Sequence, residues 1–396
     1  MLSGRMSAAM KTAITAAAIA LGTGPAAGQT IKIGLISTYS GPEAKWGEKM
    51  DMAANLYQKL NANKLPEGVR VNIIKRDDGG PNPDAAKRLA QELITRDKVD
   101  FLMGVVWTPN AMAIAPLTAE AKVPFVITNA ATSVITMRSP YIARTSFTIW
   151  QTTLPMGQWM AKKYKRVYMA VSDFSPGHDT ETAFERGFSG PGREIVGKVR
   201  MPLANPDFIP YMQRVKDAKP DVLFYFVPGG RQAAAFLKAY NDLGLDKAGI
   251  KVMSTDLPSD EELPEAAVGT MTAYHYTYTA ERPANKAFVA AYRKEYGNKA
   301  SPDFVSVATW DGMDAIYYAV REQKGKVDPD RTMELLKQYK NLNSPRGPIA
   351  IDPETRDIVQ NIYLREVRRV GGQLTTIETD TIAVAVKDPW KELNKK

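Results

Sequence analysis

The residues able to do chemistry are few and scattered. Asp77-Asp78 ends a strand-like run and could be a metal or acid pair, and Asp260-Glu261-Glu262 could be another. Carboxylates at such places are ordinarily solvated turn formers. His178, in Ser175-Pro-Gly-His178-Asp179, could act as a general base, but a base needs a nucleophile or substrate oriented by a third group, and no such trio is evident. Helix capping or a local hydrogen bond is the simpler role. Gly187-Phe-Ser-Gly-Pro-Gly192 lacks the preceding strand and the spacing of a dinucleotide loop and reads as a surface turn. Gly197-Lys198 and Gly325-Lys326 are both followed by Val, so neither completes a phosphate-binding loop, and no Gly-x-Ser-x-Gly elbow occurs.

Composition narrows the classes further. The 396 residues include no cysteine and two histidines, His178 and His275. Disulfides, thiol nucleophiles and Cys-ligated metals are therefore impossible, and no cofactor or metal site is expected. The formal charge of +9 arises from 52 Lys+Arg against 43 Asp+Glu. Those basic residues are interspersed with acids even in the dense stretches Arg365–Arg369 and Lys391–Lys396, so a phosphate-binding face is not expected and nucleic acid is not an expected partner.

Residues 1–28 carry Arg5 and Lys11, the apolar stretch Thr12–Leu21 and then Ala26-Ala27-Gly28, which is the order of a cleavable export signal. The apolar stretch is about half of the ~20 residues needed to cross a bilayer. With no cysteine at the cleavage point to take a lipid, the mature chain is expected free in the periplasm.

From Ile31 the chain alternates strands and helices. Strand patterns at 31–36, 69–74, 99–106 and 123–127 are separated by helical patterns at 47–61, 83–95 and 111–122. The alternation restarts with strands at 166–171, 221–227 and 251–254 and helices at 178–188, 207–218 and 231–243. Long helices follow at 283–296 and 304–321, then strand patterns at 359–364 and 381–386. Two successive βαβ runs predict an α/β protein of two lobes with parallel sheets. The Thr- and Ser-rich stretch 144–154 reads as the first crossover between them.

At Gly34–Pro42 and Trp46-Gly47 the sequence resembles the extracytoplasmic solute-binding proteins of ABC importers, in the branched-chain amino acid and amide (Leu/Ile/Val-binding protein-like) branch. Matching pieces continue in order at Asp77–Ala85, Val99–Gly104, Val123–Ile127, Pro220–Gly230 and Phe304–Gly312. The resemblance implies the type I periplasmic-binding-protein fold: two Rossmann-like lobes, three hinge crossovers and a cleft that closes over a ligand. It divides the chain into the signal at 1–28, a first lobe at 29–148 and 279–350, and a second lobe at 149–278 and 351–396. The implied partners are a small-molecule ligand and an inner-membrane ABC permease, with the chain acting as a monomer and not as an enzyme.

The resemblance also implies a set of ligand residues just past the strand ends. Trp46 matches the aromatic that packs on the ligand, the alternative being a core filler. Trp107 and Thr108 match the helix start that holds a carboxylate, although Pro109 there departs from the usual Ser-rich form. Ala130, Ala131 and Thr132, with Asn129 as a neighbour, match the segment that binds through a carbonyl and a hydroxyl. In the second lobe Phe174, Ser175 and Pro176 fall where a ligand-facing aromatic is usual, with Pro176 nearest that position. Gly229 and Gly230 allow close backbone approach. Arg231 either pairs with a carboxylate or is a surface helix residue. Asp256 matches the acid that pairs with a ligand's ammonium group, and Phe304 an apolar wall residue. Asp256 and Thr132 favour a hydrophobic or branched-chain amino acid, which is the expected ligand; Trp46, Trp107, Phe174 and Arg231 make an aromatic carboxylate or amide the alternative. A ligand-sensing receptor subunit and an exported hydrolase are the other classes open.

Overall fold

The computed structural model describes residues 29–257 and 260–395; the export signal expected at 1–28 lies outside them. The first run of elements is β1 (Thr30–Ser37), α1 (Ala44–Asn61), β2 (Arg70–Asp77), α2 (Pro83–Thr95), β3 (Phe101–Gly104), α3 (Thr108–Ala121), β4 (Phe125–Ile127) and β5 (Ile142–Arg144). Its five strands form one parallel sheet in the order β2-β1-β3-β4-β5. Both faces are covered, which is why these strands read as apolar runs and not as strict alternation. Ile31, Ile33 and Leu35 of β1 face one core, while Ile36 faces another with Leu93 and Ile114.

The chain crosses at residues 145–148 and builds the second lobe. This comprises α4 (Ile149–Ala161), β6 (Arg166–Ser172), α5 (Ser175–Phe188), β7 (Glu194–Met201), α6 (Ile209–Ala218), β8 (Val222–Phe226), α7 (Arg231–Asp242), β9 (Lys251–Ser254) and β10 (Met271–Tyr274). It then returns through α8 (Pro283–Tyr296), α9 (Phe304–Glu322) and α10 (Pro329–Gln338), whose Ile316, Val320 and Leu336 pack into the core under β1. The short strands β11 (Lys340–Asn341) and β12 (Ile349–Ile351) lead to the long hairpin β13 (Ile358–Val370) and β14 (Gln373–Val386), and α11 (Pro389–Leu393) ends the described chain. Ile349, Ile351 and Ile358 pack in the first core and Ile362 and Leu364 in the second lobe, so the third crossing runs along the start of β13.

The second sheet has the order β11-β12-β13-β10-β9-β8-β6-β7, with β14 paired to β13. It is parallel from β7 to β10 and antiparallel from β10 onward, so one edge departs from the all-parallel lobe expected. The stretch expected wholly as crossover, 144–154, becomes helix from Ile149. Thr148 and Gln151 form a reciprocal capping box that starts α4 there.

Two buried arginines hold the crossings together. Arg144 donates to Phe147 O at 3.1 Å and Thr132 O at 2.8 Å and pairs with Asp357 at 3.1 Å. Arg346 donates to Asp311 at 2.8 Å, to Ser146 O and Gln360 Oε1 at 2.9 Å each, and to Thr145 O. Gln360 in turn donates to Ser146 O at 3.0 Å. One guanidinium thus ties the first crossing, α9 and the third crossing into a single hydrogen-bonded knot.

Candidate functional site

Strand order reverses at β1/β3 in the first sheet and at β6/β8 in the second, and ligands of open α/β sheets bind beyond the strand ends at such points. The turns leaving those strands face one another between the lobes. Two glycines make the turns possible. A Cβ on Gly47 would lie 2.2 Å from Thr38 O, and one on Gly177 would lie 1.8 Å from Ser172 O. Each lets the first turn of a helix fold back onto the strand it follows, placing Trp46 in one lobe and Pro176 in the other. Val105, β-branched yet at φ 65°, makes the corresponding turn after β3, held by its N–H to Ile36 O at 2.8 Å and its carbonyl to Ala130 N at 3.0 Å.

These turns line a cleft pocket with about 430 Å³ of space, part of it open to solvent. Trp46, Trp107, Phe147, Phe174, Phe226, Tyr274 and Phe304 supply most of its wall, with Val106, Thr108, Asn129, Ala131, Ile149, Pro176, Pro228 and Asp256 completing it. The rings brace each other: Trp46 lies 5.7 Å from Trp107 and 6.2 Å edge-on from Phe304, and Phe304 meets Tyr274 edge-on at 5.2 Å. Trp107 is fixed by its indole N–H to Thr38 Oγ1 at 3.0 Å. That hydroxyl donates to Asp78 at 2.7 Å, and Asp78 also accepts from Asn110 at 2.8 Å. The Asp77-Asp78 pair is therefore engaged by the loops, Asp77 accepting the N–H groups of Tyr39 and Gly79.

Of the residues expected from the resemblance, the structure brings Trp46, Trp107, Thr108, Ala131, Phe174, Pro176, Asp256 and Phe304 to this one cavity. Ala130 is spent in the turn. Thr132 is buried beside it, accepting from Thr108 Oγ1 at 3.3 Å and giving its carbonyl to Arg144. Ser175 is exposed at the start of α5. Arg231 lies at the outer mouth of the cleft, a wider, solvent-open space of about 1530 Å³ with Glu43, Pro42, Pro81, Pro109 and Pro206 on its rim, and Gly230 precedes it without lining the cavity. Gly230 has φ 71°, and a Cβ there would meet the Glu43 carboxylate at 2.7 Å. Burial and Glu262 push Glu43 up to about 7, with Arg231 opposing. Phe147, Ile149, Phe226, Pro228 and Tyr274 are wall residues that sequence reading missed. Phe226 and Pro228 flank the end of β8, where strand-end logic could have found them.

Asp256 is the one carboxyl in the wall. It accepts the Leu257 N–H at 2.9 Å, and burial raises it to about 7 against the opposing pull of Arg365. Arg365 is itself buried and donates to Thr272 Oγ1 at 3.1 Å and Tyr276 O at 2.7 Å. Asn129 donates to Val106 O at 2.9 Å, leaving its Oδ1 without a partner among the described residues. Two carboxylates of the acidic run Asp260-Glu261-Glu262 reach across the lobes, Glu262 pairing with Lys45 at 3.0 Å and Glu261 with Lys49 at 3.2 Å, while Asp260 accepts from Thr376 N–H at 2.9 Å within the second lobe. These pairs hold α1 against the second lobe, so the cleft is closed. His178 lies on α5 outside the cavity with its Nε2 2.6 Å from Asp173, a local hydrogen bond.

Two α/β lobes joined by three crossings, with a ring-lined pocket in the cleft between them, define a solute-binding protein that works by lobe closure. The family model for periplasmic binding proteins matches residues 30–373, and the chain belongs to that family, whose members bind and do not catalyse. It is 41% identical over 365 residues, 91% of this chain and 93% of the relative, to the Leu/Ile/Val-binding protein homolog 6 of Brucella melitensis. It is also similar to an ABC-transporter solute-binding protein of Rhodopseudomonas palustris solved with 4-hydroxybenzoate, at 44% identity and a TM-score of 0.86 over 91% of this chain and 99% of that one. A third relative, from Rhodopseudomonas palustris BisB5 with 3,4-dihydroxybenzoic acid, matches at 45% identity and a TM-score of 0.85, over the same shares of the two chains. The chain is an ABC-transporter solute-binding protein.

Proposed function

We propose that this protein captures an aromatic carboxylate in the periplasm, as a free monomer, and delivers it to an inner-membrane ABC permease. The observation that carries the ligand class is the cavity wall: seven aromatic rings, one carboxyl and no Lys, Arg or His. A planar ring would be stacked and edge-packed there. Its carboxylate would sit at the start of α3, where first-turn N–H groups have no intrahelical partner and Thr108 adds a hydroxyl. The two Rhodopseudomonas proteins, with their hydroxylated benzoates, support the same class. Asp256 in the wall favours a second reading, a hydrophobic amino acid whose ammonium group it would pair, and the Brucella relative is named in that sense.

Export to the periplasm is supported by the signal features of residues 1–28 and by the family; no described helix is long and apolar enough to cross a membrane. The absence of catalysis belongs to the same proposal. A thermal-shift panel tests it: 4-hydroxybenzoate and benzoate raise the melting temperature while branched-chain amino acids do not, and no product accumulates. A shift with leucine alone would turn the reading to the amino acid class.

A further inference from the structure

Beside the aromatic cavity lies a second, polar chamber, lined among others by Lys49, Asp260, Tyr276, Asp303 and Arg365. Asp256, Tyr274 and Phe304 belong to both walls and so form the partition between them. Tyr274 is buried to within 1% of its surface, yet its hydroxyl has no hydrogen-bond partner among the described residues. The ring cannot swing to find one. It is held by Phe304 at 5.2 Å, Phe147 at 5.1 Å and the Arg365 guanidinium at 4.8 Å. A buried hydroxyl left unsatisfied is destabilising, and a ligand group that meets it recovers that loss.

Asp256 offers the complementary half. Its Oδ1 takes the Leu257 N–H, and among the described residues no Lys or Arg hydrogen-bonds to it, Arg365 donating to Thr272 and Tyr276. A ligand carboxylate would be repelled there and belongs at the start of α3, on the opposite lobe. What suits the partition is a group that donates and accepts at once. A phenol does both: its O–H donates to the Asp256 carboxylate while its oxygen accepts from the Tyr274 O–H. Because α3 belongs to the first lobe and Asp256 and Tyr274 to the second, a hydroxyl remote from the ligand's carboxylate fits better than one adjacent to it.

We propose that Asp256 and the Tyr274 hydroxyl form a subsite for a phenolic hydroxyl para to the ligand's carboxylate, so that the protein selects hydroxylated aromatic acids over unsubstituted ones. This rests on the aromatic-carboxylate reading above and assigns Asp256 a neutral donor in place of an ammonium group. The position of Asp256 between carboxylate and acid, raised to about 7 by burial, agrees with a partner that carries no positive charge.

The test is calorimetric titration of the full chain, Tyr274→Phe and Asp256→Asn with 4-hydroxybenzoate, 3-hydroxybenzoate and benzoate. The native protein should bind 4-hydroxybenzoate about 10- to 100-fold tighter than benzoate, the worth of one charge-assisted hydrogen bond, with 3-hydroxybenzoate between. In both variants that ratio should fall toward one. Tyr274→Phe removes a single oxygen, and a thermal melt without ligand checks that each variant is folded. Equal native affinities for 4-hydroxybenzoate and benzoate, or a ratio unmoved in folded Tyr274→Phe, would overturn the subsite while leaving the aromatic-carboxylate reading standing. Binding of none of the three acids would overturn both.

Discussion

Replacing Arg346 by Ala tests the hinge knot most severely. The guanidinium is wholly buried against Asp311, and the change strips that carboxyl of the one cation paired with it among the described residues, leaving Ser344 Oγ at 2.9 Å as a remaining donor. It also orphans the carbonyl of Thr145 and the Oε1 of Gln360, and leaves the Ser146 carbonyl with the Gln360 amide as its donor. Removing one partner of a buried ion pair costs about 3–5 kcal/mol, and unpaired buried acceptors about 1–3 kcal/mol. The two costs differ in their dependence on pH. Burial already raises Asp311 to about 6, and Arg346 pulls the other way, so its loss lifts the carboxyl further. A carboxyl raised in the folded state contributes stability below its unfolded pKa that is lost as pH rises through the folded value. The variant and the native protein therefore both hold Asp311 mostly protonated at pH 5, and they part above pH 6. Urea melts followed by tryptophan fluorescence should show a loss of about 4 kcal/mol or more at pH 8 and roughly half that at pH 5. A loss below about 1 kcal/mol at pH 8, or the same loss at both pH values, would refute the assignment of Arg346 as the charge partner of Asp311.

Trp46→Ala removes the ring that touches Trp107 and Phe304 and lies 3.3 Å from where a Cβ on Gly229 would stand, so it opens the cavity on the side that meets the second lobe. Affinity for 4-hydroxybenzoate should fall by about 2–3 kcal/mol in calorimetry, and a loss under about 0.5 kcal/mol would make Trp46 a core filler. Thr38→Val cuts Trp107 from Asp78, and the dissociation constant should rise about 5- to 10-fold without loss of fold, as judged by the melt. Glu43 sets a pH dependence. Its carboxyl is raised to about 7 in the closed form, where Glu262 and Arg231 face it across the mouth, so closure is favoured below pH 7 and weakened as pH rises through it. Ligand affinity should therefore decline between pH 6 and 8, and Glu43→Gln should flatten that decline; an unchanged slope would remove Glu43 from the closing contact.

The strand–helix alternation was legible because each early element carries a complete local signal. The helix at Pro83–Thr95 has its Asn82 cap and first-turn proline, and the strand Lys251–Ser254 is a short apolar run between turns. The first turn of α4 is hard to tell from crossover because its Thr-rich composition suits either, and the start is set by the capping box at Thr148 and Gln151. The hairpin β13–β14 was read short. Its outer half, from Arg365 to Thr376, sends only Val367 and Leu374 into the core amid charged and Thr residues, too sparse a pattern to read as strand. Trp46 and Pro176 could be found because the glycine that follows each is sterically required. Tyr274 and Phe147 could not. They are ordinary strand-end and crossover aromatics, and only the third dimension brings them opposite Trp46. Arg231 marks the same limit from the other side: it is the first residue of α7, but the helix points it at the mouth of the cleft and not at the cavity.

The central claim is that the closed cavity holds an aromatic acid. Titrating 4-hydroxybenzoate and leucine separately into the full chain by calorimetry tests it most directly. The account predicts a saturable isotherm with one site per chain for the aromatic acid and no heat of binding for leucine. Saturation by leucine with none by the aromatic acid would contradict it.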